Sequence, residues 1–464
     1  MLQPSFRKAI LKHQHKNVNA NLIWGAPLPS QLASLLGDGC RQLHELGYHA
    51  SCFPEGDGLT LNHPTYSPVN ALKDICLAFP WLDIADKKRT EDDLYGDEIA
   101  KCKVLVPIEK LHLTTSISIE PYHFFPPIGH DESNEPHPWH EHLSTTNSME
   151  IWEAYELSPD ENSSGITKID FLLTYPLVEV SVDIPYRELI AAKEYPDGMS
   201  PLLRRCSECA DRGLDLIRLE ECNYKRHEHL PCIAGQLLDG FHAAYVIPPS
   251  NSPFRPKLYC HFASPFQVIP NWLGLDVHGE LSQDISDIAP IVFGTTKDEM
   301  SQRIRGAVRA VGQAFYILTP EARFLSLVVA LDGLCSPKKN WNGLAHHSYI
   351  AAVGANGEVS RFKFWLETFC AAYSDVRNPI VHQGSSFIEL EIVPAKVSNH
   401  IVWLIRSCIN TVIDRQIKTV DNLHSYTLGM LTSPDFKQAL AEFVNGVNES
   451  QAYSKHLKMP KWKN

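Results

Sequence analysis

The chain has 464 residues, a formal net charge of −12 and 44% apolar residues. This length leaves room for two or three domains with their own cores. The acidic balance counts against a protein that coats nucleic acid non-specifically, because such binding needs many clustered Lys and Arg side chains. No segment has the roughly 18 to 20 apolar residues of a membrane-spanning helix. The polar start of the chain lacks the apolar core of a secretory signal, so we expect a cytoplasmic protein.

Residues 1–290 predict a mixed α/β region that forms one domain or two sub-domains. Apolar residues at helical spacing predict a helix over 201–219. Alternating apolar residues predict strands, with one wet and one buried face most clearly over 178–183. The strand-like segments are 103–119, 169–182, 243–247 and 258–262.

The pattern becomes helical after residue 293. Thr295 or Thr296 can cap a first helix, and Thr319 followed by Pro320 marks the start of a second. Ser336 ends the second helix, and a polar connection follows to about residue 359. The predicted helices cover 295–317, 319–334, 362–376, 397–412 and 434–443. The fold class is therefore α+β multidomain, with a mixed α/β region over 1–290, an all-α bundle over 295–445 and a tail over 446–464.

The end of the third predicted helix carries the residues that point to chemistry. Arg377 is followed by Asn378 and Pro379, and His382 comes five residues after the arginine. Proline lacks the N–H of a helical hydrogen bond and disfavours helical geometry in the residue before it. We therefore expect the helix to end near Arg377 and the chain to turn before it presents His382. Gly384 permits a second sharp turn.

An arginine beside a histidine is suited to RNA cleavage. The 2′-hydroxyl of RNA is an internal nucleophile, so the enzyme has to move protons and stabilise the charge on the attacked phosphate. Histidine titrates near neutral pH and acts as base or acid. Arginine stays charged and offers a planar fork of donors to phosphate oxygens. This chemistry requires no metal ion.

The segment Arg377–His382 resembles the signature of the HEPN family, in which an arginine, often followed by asparagine, precedes a histidine by four to six residues. The segment Thr319–Leu334 looks like the first core helices of the Apea-like branch, and the resemblance covers about 295–445. It implies a metal-independent endoribonuclease that forms homodimers, with two Arg-His pairs lining one cleft. It further implies antiphage defence by abortive infection, through cleavage of tRNA or other cellular RNA.

The resemblance assigns roles to individual residues. His382 is expected to transfer protons, Arg377 to bind the phosphate and its transition state, and Asn378 to support them. Asp332 on the second helix is expected to be a further polar partner, or else a surface acid near a helix end. No tyrosine follows His382 closely, which disfavours the subtype that is inhibited by modification of such a tyrosine. We therefore expect control by the N-terminal region in response to a phage-derived trigger.

Two further clusters lie outside the motif. The stretch 297–339 is locally basic, and Lys338 and Lys339 in it are expected to bind substrate; the alternative is a solvated helix face. Cys206 and Cys209 form a Cys-x2-Cys pair. Cys222, His227, His229 and Cys232 follow the pair. With Cys206, Cys209, Cys222 and Cys232 as ligands, the cluster predicts a structural zinc site; the alternative is unrelated thiols.

Two other functions remain open from the sequence. A non-catalytic HEPN module would use the same pocket to hold RNA or a nucleotide without cutting it, and the acidic overall charge favours this alternative. In a purely structural protein, Arg377 would form only an internal ion pair.

Overall fold

The computed structural model describes fifteen stretches of the chain. These are residues 30–46, 49–52, 59–62, 74–75, 77–79, 99–127, 139, 172–194, 199–238, 240–250, 252, 254–262, 271–277, 282–337 and 343–449. Lys338, Lys339 and most of the predicted tail (450–464) lie outside the described residues. The described part is a mixed α/β protein with the sheet in its N-terminal half and helices towards its C-terminus.

The main sheet has six antiparallel strands in the order β5-β6-β7-β3-β8-β9. The described strands are β1 (His49–Cys52), β2 (Leu59–Asn62), β3 (Ile99–Pro107), β4 (Leu111–Leu113), β5 (Ile117–Ile119), β6 (Tyr122–Phe125), β7 (Leu177–Pro185), β8 (Phe241–Ile247), β9 (Lys257–Phe262) and β10 (Leu275–Val277). On β7 the alternating residues Val178, Val180 and Val182 are buried, whereas Ser181 and Asp183 are exposed. The predicted alternation over 178–183 is thus confirmed.

The described helices range in length from 6 to 23 residues. In chain order they are α1 (Ser30–Glu45), α2 (Tyr186–Glu194), α3 (Met199–Glu221), α4 (Gln283–Phe293), α5 (Glu299–Ala314), α6 (Pro320–Cys335), α7 (Gly343–Ala355), α8 (Val359–Ala371), α9 (Asn378–Gln383), α10 (Pro394–Asp414), α11 (Val420–Leu431) and α12 (Pro434–Glu449). A π-helical segment, Ala372–Arg377, joins α8 to α9.

Helix α3 lies between the sheet and the C-terminal helices. It approaches the sheet closely at Gly213, where a Cβ atom would meet the rings of Tyr122 and Phe124. Its other side packs on α5. One apolar core runs without a break from Val104 of β3 through Leu214 of α3 to α5 and beyond. The predicted boundary at 290–295 therefore falls within a shared core, at the end of α4.

Several helical details differ from the predictions. The first predicted helix is capped by Asp298, whose carboxylate accepts from the Ser301 N–H, and not by Thr295 or Thr296. Thr319 occupies the N-cap of α6 with Pro320 next, as predicted. Helix α7 occupies most of the predicted polar connection, and α4 and α11 add two further helices. No helix in the described stretches is long and apolar enough to span a membrane.

Candidate functional site

The helical rod that carries the motif does not end at Arg377. Helix α8 continues through the π segment into α9, and Asn378 has helical angles of φ −65° and ψ −46°. The expectation that the helix ends near Arg377 was wrong. The Asn378 N–H bonds to the Tyr373 carbonyl, five residues back. A wide π turn of this kind accommodates a proline that lacks the N–H and crowds the carbonyl four residues earlier.

The rod ends about two turns after Arg377, at Gly384. This glycine has φ +68° and its N–H bonds to the Pro379 carbonyl, so the predicted turn at Gly384 is confirmed. His382 lies in the last turn of α9 and is exposed to solvent. The end of the rod therefore presents an accessible imidazole.

Arg377 is held on the same rod by two neighbours. Its Nη1 donates to Oδ1 of Asn378 at 3.2 Å, and its guanidinium lies 5.0 Å from the centre of the Tyr373 ring. The side chain is only half-buried. No ion pair of Arg377 exists among the described residues. Its charge is thus oriented by a hydrogen bond and a cation–π contact rather than neutralised by a carboxylate.

Tyr373 connects Arg377 to two other helices. Its hydroxyl donates to Oδ2 of Asp332 on α6 at 3.4 Å. Oδ1 of Asp332 lies 3.2 Å from Nε2 of His346 on α7. Burial raises the pKa of Tyr373, the Asp332 carboxylate raises it further, and Arg377 opposes both. Asp332 therefore reaches the arginine only indirectly, through the tyrosine.

The buried side of this cluster contains a neutral histidine. Nδ1 of His347 lies 3.3 Å from the Cys370 sulfur, and its ring centre is 4.9 Å from that of Tyr373. Burial and, to a smaller extent, neighbouring His346 lower the pKa of His347 to about 4, although Asp332 opposes them. The sequence analysis missed His346 and His347 because it assigned them to a polar connection. The nearly continuous apolar run from 344 to 355 is the signal that would have predicted a buried helix there.

The structure brings Arg377, Asn378 and Asp332 into one cluster through Tyr373, and His382 lies about one turn beyond Asn378 on α9. Asn378 and His382 are four residues apart on α9 and share one face of it. No hydrogen bond or ring contact joins Arg377 to His382 among the described residues. Five residues of α-helix rise about 7.5 Å and turn the side chain by about 140°, so the two side chains leave the rod in different directions within one chain.

Four arginines in the described part of the basic stretch donate to groups within the protein. Arg303 donates to the Ser336 carbonyl, Arg305 to carbonyls around Gly294, Arg309 to two buried aspartates, and Arg323 to the Ile317 carbonyl. The charge pattern alone did not reveal these contacts. Lys338 and Lys339, the two predicted substrate ligands, lie outside the described residues.

The four predicted zinc ligands are dispersed around α3. Cys206 and Cys209 lie on the helix, Cys222 follows its end, and the Cys232 sulfur accepts from Asn271 at 3.4 Å. Burial raises the pKa of Cys222 to about 12 and that of Cys232 to about 11. Within the described residues, no three His, Cys, Asp or Glu side chains are grouped so that they can hold a metal ion. The structural zinc stays a prediction.

Comparison of the chain with protein-family models, with curated proteins and with solved structures gives no match. The resemblance to HEPN proteins thus rests on the motif around Arg377 and on the helices that carry it.

Proposed function

We propose that the protein is a metal-independent endoribonuclease of the HEPN type. The observation that carries the proposal is the end of the α8–α9 rod, where Arg377 is oriented by Asn378 and Tyr373, has no carboxylate partner among the described residues, and precedes an exposed His382 by five positions. The π segment that ends at Arg377 adds support, because such segments occur frequently at functional sites.

Each side chain has a role that its surroundings fit. His382 faces solvent and accepts the proton of the attacking 2′-hydroxyl or returns one to the leaving oxygen. Arg377 binds the phosphate and stabilises the charge that develops on it. Asn378 holds one guanidinium nitrogen in place. Asp332 acts indirectly: it accepts a hydrogen bond from Tyr373 and so holds the ring that contacts Arg377.

The wider assignment is antiphage defence by abortive infection, with tRNA or another cellular RNA as substrate and the N-terminal region as the element that responds to a phage-derived trigger. We further propose a homodimer that brings two Arg-His pairs to one cleft. Val381 and Ile388 near the end of the rod support this, because their side chains are 44% and 88% exposed. Exposed apolar residues around a site are typical of an interface.

The test is cleavage of total cellular RNA and of tRNA by purified protein in the presence of a chelator, with and without an extract from phage-infected cells as trigger. Cleavage should fall by at least about a hundredfold in His382→Ala, the usual contribution of a general acid or base. Arg377→Ala should fall as steeply. His44→Ala, which removes an exposed histidine from α1, should cut like wild type.

The same experiment addresses the binding-module alternative. RNA retention that weakens in Arg377→Ala, without cleavage by the wild type under any condition, would replace the ribonuclease by a binding module. In cells, arrest and RNA fragments that appear on phage infection and vanish in His382→Ala would support the defence role. Phage protection with intact RNA in both strains would contradict it.

A further inference from the structure

A pocket lies at the junction of α3 and α5. It has a volume of about 330 Å³, and its lining includes Asp211, Gln236, Arg309, Gln313 and Tyr316. This volume is at the lower end of the range, about 300 to 1,000 Å³, that small-molecule sites usually have. None of these residues belongs to the Arg377 cluster.

The floor of the pocket is formed by Asp211 and Arg309, which belong to a network of four buried or half-buried charges. Nη2 of Arg218 lies 2.5 Å from Asp211, and its Nη1 lies 3.2 Å from Asp215. Nη1 of Arg309 lies 3.1 Å from Asp211 and 3.0 Å from Asp215. The side chains of Arg218, Asp211 and Asp215 are almost fully buried, whereas that of Arg309 is 29% exposed. Arg309 is thus the charge through which the network meets the pocket.

The groups left without partners in this pocket are mainly hydrogen-bond donors. The lining carboxylates are already engaged: Asp211 accepts from both arginines and the Ala234 N–H, and Glu208 accepts from Arg204. Arg309 uses only its Nη1, so its Nε and Nη2 have no partner among the described residues. In the same part of the chain, the side-chain amides of Gln236 and Gln313 are also without partners.

We propose that this pocket binds a small oxyanion, a carboxylate or phosphate group on a compact polar molecule. Arg309 binds the anion with its two remaining nitrogens, and the amides of Gln236 and Gln313 donate to it. A planar guanidinium with two adjacent donors matches the paired oxygens of both anions. Glu208 at the rim does not repel the anion strongly, because its charge is balanced by Arg204.

The charge of the floor agrees with this assignment. Burial raises the pKa of Asp215 to about 7, although Arg218 and Arg309 lower it. Asp211 stays ionised, since the two arginines outweigh its burial. When Asp215 is protonated, two arginines face a single carboxylate, and a bound anion restores neutrality. The site is independent of the proposed ribonuclease activity.

The experiment measures thermal unfolding of the full chain against inorganic phosphate and, separately, malonate, with ionic strength matched by sodium chloride. We expect a saturable rise in Tm with at least one anion. Gln236→Ala combined with Gln313→Ala should weaken the apparent Kd by about tenfold or more, as expected for lost hydrogen bonds to a charged group. These variants leave the four-charge network intact. Gln42→Ala on α1, which replaces an exposed glutamine, should respond like wild type.

The two anions distinguish the sources of the ligand. A stronger response to phosphate identifies a phosphorylated compound, and a stronger response to malonate identifies a carboxylic acid. No saturable response to either anion overturns the proposal. An equal response in the wild type and in the double glutamine variant overturns it as well. Neither result bears on RNA cleavage, so failure of this site and failure of the ribonuclease proposal are separately visible.

Discussion

The hydroxyl of Tyr373 donates a hydrogen bond to Asp332 on a neighbouring helix at 3.4 Å, while the ring of the same tyrosine lies under Arg377. The arginine therefore rests on a surface that is fixed at its far end. A cation whose side chain is already oriented loses less conformational freedom when it binds phosphate. The function of Asp332 in this arrangement is positional.

Removal of the tyrosine hydroxyl tests this position. Tyr373→Phe keeps the ring under Arg377 but cuts its connection to Asp332. We expect RNA cleavage to fall by about threefold to tenfold, while the free energy of unfolding changes by about 1 kcal/mol, the usual value of one hydrogen bond. Initial rates and urea unfolding measure the two effects. Full activity in Tyr373→Phe would show that the connection to Asp332 has no part in the reaction.

The turn that exposes His382 depends on a left-handed residue. Gly384→Ala places a Cβ atom at φ +68° and should destabilise the protein by about 1 kcal/mol. Gly333→Ala on α6 is the matched control: the added methyl meets open space, and alanine should stabilise the helix by up to about 1 kcal/mol. Chemical unfolding of both variants shows whether each substitution raises or lowers the free energy of unfolding. Equal effects would indicate that the turn at Gly384 carries no strain.

A glycine also decides how closely α5 approaches α3. A Cβ atom at Gly312 would collide with the carboxylate of Asp215, which is buried and paired with two arginines. Gly312→Ala should therefore cost about 2 to 4 kcal/mol, the range of overpacking and of broken buried ion pairs. Gly306→Ala on the same helix faces open space and should be neutral or stabilising. A similar unfolding midpoint in the two variants would contradict this packing.

Acid should weaken the cluster around Tyr373 through His347. The pKa of this histidine is about 4 in the folded chain because of burial, against the ordinary value of 6.5. As the pH falls below 6.5 the unfolded chain takes up the proton first, so stability is lost progressively between pH 6.5 and 4. The loss is up to about 3 kcal/mol at 1.4 kcal/mol for each pH unit.

The comparison with His347→Gln isolates this contribution. Asp215 has a raised pKa and makes stability fall as the pH rises from about 4 to 7, and His227 behaves like His347. These contributions are common to both proteins and cancel in the difference. Urea unfolding across the pH range should give a shallower acid loss for His347→Gln. Parallel profiles would mean that His347 does not titrate as its burial requires.

The sequence predicted elements whose signal is local. Alternation identified β7, and helical spacing identified α3 and α10. The pair Thr319 and Pro320 marked the start of α6. The helix α7 was missed because residues on all its sides are buried, so it has no polar face that would reveal helical periodicity. The prediction that the helix ends before Pro379 was also wrong, because no sequence pattern marks a π turn.

Contacts between distant elements were beyond what a single sequence reveals. Nothing near Arg309 in the chain indicates that its partners lie on α3, about a hundred residues earlier. The chain of contacts from Arg377 through Tyr373 and Asp332 to His346 likewise depends on how three helices pack. The residue types of the motif were readable, but their support by Asp332 through a tyrosine required the fold.

The core shared by the sheet, α3 and α5 determines how this molecule can be divided. Cutting the chain near residue 295 would remove Asp211 and Asp215, the ion-pair partners of Arg309. It would also expose the apolar side of α5 to water. We therefore expect the sheet and the helical part to unfold together, and calorimetry should show a single melting transition.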